Sequence, residues 1–495
     1  MNRISRLLCL LLAAVVLFTV FGMAVSAETS AESEASAESI DTTTEPEESS
    51  ESGNNAPITP FSAHSPAMAY CVDTEQVLFE TRADEKMAAG IVTKLCALAV
   101  AYDLISDVDR PMTTTVTLKK EWLKDSYIAG DRSTPYIGLK ADEEYTLEYL
   151  FLASLVGNAC DAAAVLVRYC AEVILQETEQ GFLSRMNDKA ASLGMENTRF
   201  EKATGANGGN YTTVRDAMKL LAAFYYYNEL VTGSNCVSYG YLKNKNYLMC
   251  DKVVSGYRNT EAVGLLAGQS TNEGGYAVAT YHITNGIVYA YLVMGGSSER
   301  IDTDGEHWFD EGNAYEDINA LIPWVNKAYD YMTLCAKDDL IAELRMGDGA
   351  EADHLIIVPE KEVELLVYDP DSAPFSKTVK FDTEKVYDSE YNGKPVKCVD
   401  APVKQGDKLG KVTFYHGSKE LATVDLVARD SVGINELRQG MSRIRSFLFE
   451  GPMGKIVKIV LIFVGIWVLL ALVLFIWRIV KYFRNRKKSK NVNKL

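Results

Sequence analysis

The segment Ala89-Gly90-Ile91-Val92-Thr93-Lys94-Leu95 introduces an apolar run, residues 92–104, whose pattern predicts a buried helix. Lys94 is the one charged residue in this segment, and Ile91 precedes it by three positions. Residues three apart lie on the same face of an α-helix, so we expect Ile91 and Lys94 to be neighbours. Isoleucine has no lone pair with which to attack a carbonyl group. Any chemistry on this helix face therefore depends on residues elsewhere in the chain.

The two ends of the chain predict export and a membrane anchor. Residues 1–27 combine Arg3 and Arg6, an apolar run and the small residues Val25-Ser26-Ala27, which is the layout of a signal peptide. Residues 459–477 carry no charge and are long enough to cross a bilayer as a helix. Residues 478–495 hold eight basic and no acidic side chains, so the positive-inside rule assigns this tail to the cytoplasm. We expect a single-pass membrane protein whose larger part faces outward.

The overall composition is acidic, with a formal net charge of −17, which argues against nucleic acid as a partner. Residues 28–55 contain nine acidic and no basic residues among Ser, Thr and Ala, and this composition predicts a disordered linker. The five histidines are scattered, and the eight cysteines beyond residue 27 form no Cys-x-x-Cys pair. We predict neither a metal site nor a cofactor, and we interpret most of the cysteines as buried thiols.

Two folded regions are predicted between the linker and the anchor. Residues 56–337 begin with a hairpin around Asp73-Thr74-Glu75, continue with helical runs and return to a strand pair around Asn285-Gly286. This order predicts an α+β domain in which helices are inserted into a sheet. Residues 350–430 alternate short β segments with turns, which predicts a small all-β domain. Residues 433–450 have the apolar spacing of an amphipathic juxtamembrane helix. The predicted helices of the first region are 92–104, 147–155, 161–175 and 213–227, and the predicted strands of both regions are 68–72, 76–79, 276–284, 287–295, 411–415 and 422–428.

Several short segments occur in an order that matches a known family. They are Thr93-Lys94, Asp161-Ala162-Ala163, Gly194-Met195-Glu196-Asn197-Thr198, Ala203-Thr204-Gly205 and Gly264-Leu265-Leu266-Ala267-Gly268. This series resembles the D-alanyl-D-alanine carboxypeptidases, the low-molecular-mass penicillin-binding proteins. The resemblance implies a penicillin-binding, beta-lactamase-like transpeptidase domain, a small β domain and a C-terminal anchor in a bacterial cell membrane. It also implies a peptidoglycan stem peptide as the substrate.

The catalytic elements of that family are degenerate in this chain. The resemblance implies a serine nucleophile with a lysine one helical turn later, and here Ile91 stands at the serine and Lys94 at the lysine. It also implies a Lys-Thr-Gly element that binds the terminal carboxylate, and here the residues are Leu266, Ala267 and Gly268. Only the lysine of the first element and the glycine of the third are retained.

The second element, Ser-x-Asn in the family, has two alignments in this chain. Anchoring on Asp161-Ala162-Ala163 places Asn158 at the serine and Cys160 at the asparagine. The other alignment retains Gly157-Asn158 as a Gly-Asn pair and requires a two-residue insertion. Asn158 has the side chain to hold a peptide or, alternatively, to cap the helix that follows it.

Loss of nucleophile, proton relay and carboxylate clamp together predicts a catalytically inactive protein. We expect it to serve as a cell-wall binding or regulatory module, with a stem peptide or a cell-wall enzyme as its partner. One alternative is a D-Ala-D-Ala carboxypeptidase that works through other residues, such as Cys160 with Lys94. Another alternative is a purely structural spacer or assembly partner.

Overall fold

The computed structural model describes residues 65–123, 135–204, 209–250, 256–269, 276–296, 298–301, 307–310, 312–347, 350–445, 447 and 452–492. The predicted signal peptide (1–27) and acidic linker (28–55) lie outside these residues, as do Gly205 and the last three residues of the basic tail.

Nine helices occur in the described parts of the chain. They are α1 (Ile91–Asp107), α2 (Leu147–Val156), α3 (Cys160–Tyr169), α4 (Glu179–Ser192), α5 (Val214–Phe224), α6 (Asn228–Ser234), α7 (Gly312–Ala328), α8 (Glu436–Arg445) and α9 (Pro452–Val492). A π-helical turn, Cys170–Leu175, continues α3, and short 3-10 turns cover Lys120–Leu123 and Pro370–Ser372.

Twenty-two strands accompany these helices within the same residues. The strands of the first region are β1 (Ala67–Cys71), β2 (Gln76–Thr81), β3 (Met87–Ala88), β4 (Thr115–Thr117), β5 (Glu144–Thr146), β6 (Tyr211–Thr212), β7 (Ser238–Tyr239), β8 (Leu242–Lys243), β9 (Ala262–Gln269), β10 (Tyr276–Thr284), β11 (Ile287–Val293), β12 (Ser298–Ile301) and β13 (His307–Asp310). Those of the second are β14 (Tyr329–Cys335), β15 (Ala342–Met346), β16 (His354–Pro359), β17 (Val363–Tyr368), β18 (Phe375–Phe381), β19 (Val386–Tyr391), β20 (Lys394–Val399), β21 (Lys408–His416) and β22 (Lys419–Ala428).

The first domain is built on an antiparallel five-stranded sheet with the order β2-β1-β11-β10-β9. The N-terminal hairpin pairs directly with β11, although most of the domain's helices lie between them in the chain. The predicted insertion of helices into a sheet is confirmed. The predicted turn at Asn285-Gly286 is also confirmed, because both residues have the positive φ angles, 53° and 81°, that a tight hairpin turn needs.

Alternate residues of the central strands serve two separate cores. On β11, Ala290 and Leu292 belong to the core that contains α1, whereas Tyr291 and Val293 belong to the core that contains α7. The period of two places successive side chains on opposite faces of the sheet. Helices therefore cover both faces, and the sheet forms the middle layer of the domain.

Helix α1 is the centre of the first core. Its sequence is apolar on nearly every face, and side chains from Val92 to Ala101 are buried apart from Lys94. A helix that is apolar all round is stable only when other elements surround it. Helices α2, α3, α4 and α5 contribute buried residues to the same cluster. The predicted helix 92–104 is confirmed, with one residue more at its start and three more at its end.

The second domain contains a seven-stranded sheet with the order β18-β21-β22-β16-β15-β20-β19. Strand β14 pairs with β17 in a separate two-stranded sheet. Strand β14, which lies in the region that the sequence assigned to the first domain, thus pairs with a strand of the predicted β domain. The sequence did not reveal this because the pairing joins strands that are far apart in the chain. The predicted β segments 411–415 and 422–428 lie within β21 and β22, which form a hairpin.

The chain continues into two helices beyond the β domain. On α8, Leu437, Met441 and Ile444 are exposed at the predicted helical spacing. Helix α9 contains one apolar stretch, Lys455–Lys481, with a mean hydropathy of 3.3 and with none of its length buried in the protein. By length and composition this stretch is a candidate membrane span.

We expect α1 to contribute strongly to the stability of the first domain. Leu98→Ala removes a side chain that is 1% exposed, and the resulting cavity should lower the free energy of unfolding by about 2–5 kcal/mol. Urea unfolding followed by circular dichroism measures this change. Leu340→Ala is the matched control, because Leu340 is 60% exposed and should change stability by less than about 0.5 kcal/mol. Equal effects of the two substitutions would contradict the central role of α1.

Candidate functional site

The site is built around the side chain of Lys94, in the first turn of α1. Its ammonium Nζ donates to the backbone carbonyl oxygen of Asn158 at 2.5 Å and to the side-chain Oδ1 of the same residue. Asn158 lies between α2 and α3, is 7% exposed and has a φ of 51°. Asparagine is one of the few residues other than glycine that adopt this left-handed conformation readily. The loop conformation therefore directs both oxygens of Asn158 toward one cation.

Asp161 holds the segment that faces this loop. Its buried carboxylate accepts hydrogen bonds from the backbone N–H groups of Ile137, Gly138 and Leu139 at 2.9–3.2 Å. The same carboxylate accepts from the N–H of Ala162 at the start of α3. Hydrogen bonds to an ionised acceptor are stronger than neutral ones. Asp161 thereby ties residues 137–139 to the start of α3, next to Asn158.

The surroundings of Lys94 change its protonation equilibrium. Burial is the largest influence and lowers the pKa of Lys94, while the neighbouring Cys160 and Asp161 act in the opposite direction. Cys160 is partly exposed, with its Sγ 3.9 Å from the carbonyl oxygen of Asn158. Most of the cysteines are buried as expected, but Cys160 is not one of them, since the loop leaves its side chain at the edge of the site.

Gly268, on strand β9, approaches this group closely. A Cβ atom at Gly268 would lie 2.3 Å from Nδ2 of Asn158 and 3.4 Å from Cγ2 of Ile91. Only glycine permits this approach of a strand to neighbouring side chains. Ile91 itself is 3% exposed and shares a buried apolar cluster with Leu266. Ala267 is 1% exposed and belongs to the core on the opposite face of the sheet.

The structure thus brings together five residues from three parts of the chain that are far apart in sequence: Ile91, Lys94, Asn158, Cys160 and Gly268. Leu266 joins the apolar side of this group, and Ala267 faces away from it. The suggestion that Asn158 caps α3 is wrong, because that helix starts after Ala159 without a side-chain cap.

Two polar contacts near the site were missed by sequence reasoning. The first is the anchoring role of Asp161, whose partners at 137–139 follow no recognisable pattern. The second is the hydrogen bond from Asn210 Nδ2 to Thr93 Oγ1 at 3.1 Å, which ties α1 to the loop that precedes β6. This bond accounts for Thr93 as a packing residue. The only sign of this contact in the sequence was that Thr93, next to Lys94 in the chain, points about 100° away from it around the helix.

Solved structures share this architecture. The chain superposes on penicillin binding protein 5 from Haemophilus influenzae with a TM-score of 0.57 and 17% identity, over 76% of this chain and 99% of that one. It superposes on the D-alanyl-D-alanine carboxypeptidase DacD from Francisella tularensis with a TM-score of 0.56 and 16% identity, over 76% and 95%. These similarities define the fold class as a penicillin-binding transpeptidase domain followed by a β domain.

Sequence comparison gives the family. Residues 55–297 match the family model of D-alanyl-D-alanine carboxypeptidase, and residues 329–433 match that of the penicillin-binding protein 5 C-terminal domain. The chain is 21% identical over 369 residues to the D-alanyl-D-alanine carboxypeptidase DacF of Bacillus subtilis, covering 73% of this chain and 83% of that relative. This chain belongs to the D-alanyl-D-alanine carboxypeptidase family.

The close approach of Gly268 yields a test of the packing. Gly268→Ala should displace the Asn158 amide from Lys94 and lower the free energy of unfolding by about 1–3 kcal/mol, because the added methyl group has no space. Thermal unfolding measures the change. Gly440→Ala is the control, since a Cβ there meets no atom within 4 Å and alanine favours a helix. Equal melting temperatures of Gly268→Ala and wild type would contradict this geometry.

The lowered pKa of Lys94 predicts a pH dependence of stability. In the folded protein the pKa of Lys94 lies below its ordinary value of 10.5. Between the folded pKa and 10.5, the unfolded state therefore binds more protons than the folded state. The contribution of Lys94 to the free energy of unfolding therefore rises as pH increases toward 10.5, and it is constant above that pH. Wild type should gain stability relative to Lys94→Met over that window, measured by urea unfolding at a series of pH values. Parallel pH profiles for the two proteins would contradict the burial of Lys94.

Proposed function

We propose that this chain is a catalytically inactive member of its family that acts at the cell wall as a membrane-anchored binding or regulatory module. The observation that carries the proposal is the environment of Ile91. This residue occupies the family's nucleophile position, is buried, and lies beside Asn158 and Gly268. An apolar side chain thus takes the place of the attacking oxygen, and it is packed rather than presented to a substrate.

The third catalytic element supports the same conclusion. Leu266 offers a buried hydrocarbon where the family has a cation for the substrate carboxylate, and Ala267 lacks the hydroxyl of the family's threonine. Loss of a catalytic serine alone costs on the order of 10⁶ in turnover in serine hydrolases. Loss of the carboxylate clamp in addition removes the group that orients the peptide. Both changes remove contacts to the terminal D-Ala of a stem peptide at this site, and of the two expected partners they favour a cell-wall enzyme over the stem peptide.

The retained polar pair has a structural explanation. Lys94 and Asn158 match residue types that the family uses for proton transfer, and we assign Asn158 to the retained Gly-Asn alignment because it contacts Lys94. In this chain the pair joins α1 to the loop before α3. A buried ammonium without such partners would destabilise the domain, so the pair persists for folding after its chemical use is lost.

A second candidate is an active D-Ala-D-Ala carboxypeptidase that uses Cys160 as its nucleophile. The observation in its favour is that Cys160 is partly exposed and neighbours Lys94, which stands at the position of the family's catalytic lysine. Against it, Lys94 already donates to both oxygens of Asn158. This candidate predicts release of D-Ala from a stem pentapeptide and loss of that release in Cys160→Ala.

Acylation by penicillin separates the two candidates. The full chain in detergent should take up no covalent, denaturation-resistant label from a fluorescent penicillin, because Ile91 has no nucleophilic atom. Gel fluorescence measures the label, with penicillin binding protein 5 from Haemophilus influenzae as the positive control. Labelling of the wild-type chain would overturn the proposal, and disappearance of that label in Cys160→Ala would assign it to the second candidate.

We further propose that Lys455–Lys481 spans the cell membrane, with the ectodomain outside and the C-terminus in the cytoplasm. Deletion of residues 452–495 should release the protein from the membrane fraction, whereas deletion of 478–495 alone should leave it there. Fractionation and immunoblotting measure both. A green fluorescent protein fused to the C-terminus should fluoresce, as it does in the cytoplasm. Full-length protein in the soluble fraction would contradict the anchor.

A further inference from the structure

A groove at the junction of the two domains lies away from the degenerate site. It has a volume of about 770 Å³, within the range of about 300–1,000 Å³ that is typical of small-ligand sites. One wall comes from the β10–β11 hairpin and the end of α7, and the other comes from β14, the 3-10 turn Pro370–Ser372 and the start of β18. The groove therefore exists only where both domains meet.

Two aromatic rings in the groove are exposed yet held in place. Tyr331 is 39% exposed, and its hydroxyl donates to Glu364 Oε2 at 2.7 Å. Phe375 is 41% exposed, and its ring packs on His416 with 4.9 Å between ring centroids. His416 in turn contacts the carbonyl oxygen of Pro370 through Nε2 at 3.2 Å. Both rings are thus apolar surfaces held in fixed positions. A ligand that stacks on them therefore costs the protein little conformational entropy.

The polar lining supplies both donors and acceptors. Tyr289 is 6% exposed and lines the groove, and its hydroxyl has no hydrogen-bond partner among the described residues. Burial, followed by nearby Cys71 and Asp73, raises the pKa of Tyr289 to about 12, so the hydroxyl keeps its proton at neutral pH. Asn326, Asp330 and Asp371 also line the groove. Their side chains make no hydrogen bond within the described parts of the chain.

This combination selects the chemical class of the ligand. A cationic side chain would satisfy the two carboxylates, but it offers only donors and so provides no acceptor for the Tyr289 hydroxyl, which is 6% exposed. A pyranose sugar offers hydroxyl groups that donate to carboxylates and an apolar ring face for Tyr331 and Phe375. An acetamido group adds a carbonyl acceptor for the Tyr289 hydroxyl. Two carboxylates without a lining cation also favour a ligand that carries no negative charge.

We propose that the interdomain groove binds a neutral N-acetylated amino sugar of a glycan strand. The proposal rests on the proposed function only in the location of the protein at the cell wall, and it holds whether or not the family's chemistry is lost. It gives the binding module a concrete ligand class. It also assigns a role to the junction between the first domain and the β domain.

Isothermal titration of the full chain in detergent micelles with tri-N-acetylchitotriose tests the proposal. We expect saturable binding with one site per chain. Tyr331→Ala and Phe375→Ala should each weaken it by up to about tenfold, because each removes one stacking surface. Tyr289→Phe, which removes only the hydroxyl, should weaken it about two- to tenfold. Tyr241→Ala is the control, because Tyr241 is fully exposed outside the groove lining, and it should leave the affinity unchanged.

Cellotriose, which lacks the acetamido groups, should bind more weakly than the chitin trimer. Absence of saturable binding to wild type, or equal affinity in wild type, Tyr331→Ala and Phe375→Ala, would overturn the proposal. Saturation by an oligolysine peptide without saturation by the sugar would also overturn it, in favour of a basic protein partner. A chain that resists penicillin labelling but does not bind the trimer would refute the groove proposal alone and leave the proposed function standing.

Discussion

The ammonium group of Lys94 must be accommodated at the start of a helix that is otherwise apolar on nearly every face. Asn158 meets this requirement with both of its oxygens, and it does so through a left-handed backbone conformation. The loop in turn is held by Asp161, and Gly268 packs against the amide nitrogen of Asn158. The first turn of α1, the loop before α3 and the strand β9 are therefore joined around the partly buried ammonium group of Lys94.

The same arrangement explains how the fold would persist under the proposed loss of its chemistry. In the family, the residues on these three elements act on a substrate, and in this chain their apolar replacements extend the core. Ile91 and Leu266 occupy one cluster with the residues of α1, so the substitutions add buried apolar surface. Under that proposal, function is expected from surfaces outside this site, among which the interdomain groove combines fixed aromatic rings with polar groups that make no hydrogen bond within the described residues.

Much of the fold was predictable from local sequence signals. The hairpin near residue 73, the Asn285-Gly286 turn and the apolar pattern of α1 each rest on neighbouring residues, and the structure confirms them. Helix α4 was missed because its composition is polar, and α7 because Pro323 lies inside it. The pairing of β14 with β17 was also missed, because β14 lies in the region that the sequence predicted as part of the first domain.

The candidate site was predictable as a set of positions but not as a geometry. The family resemblance identified Ile91, Lys94 and Gly268, whereas the role of Asn158 depends on a loop conformation that no sequence motif encodes. The groove could not be predicted from the sequence, because its rings and carboxylates come from segments that only the two-domain arrangement brings together.

The central claim, that buried apolar residues have closed the family's active site, is tested most directly at Ile91 itself. Selective methyl labelling of isoleucine, with Ile91→Val to assign the signal, allows the Ile91 resonance to be followed while a diacetyl-Lys-D-Ala-D-Ala tripeptide is titrated into the full chain. The account predicts that this resonance does not shift at any peptide concentration. A saturable shift of the Ile91 resonance would contradict it, because the peptide would then occupy the site that Ile91 and Leu266 fill.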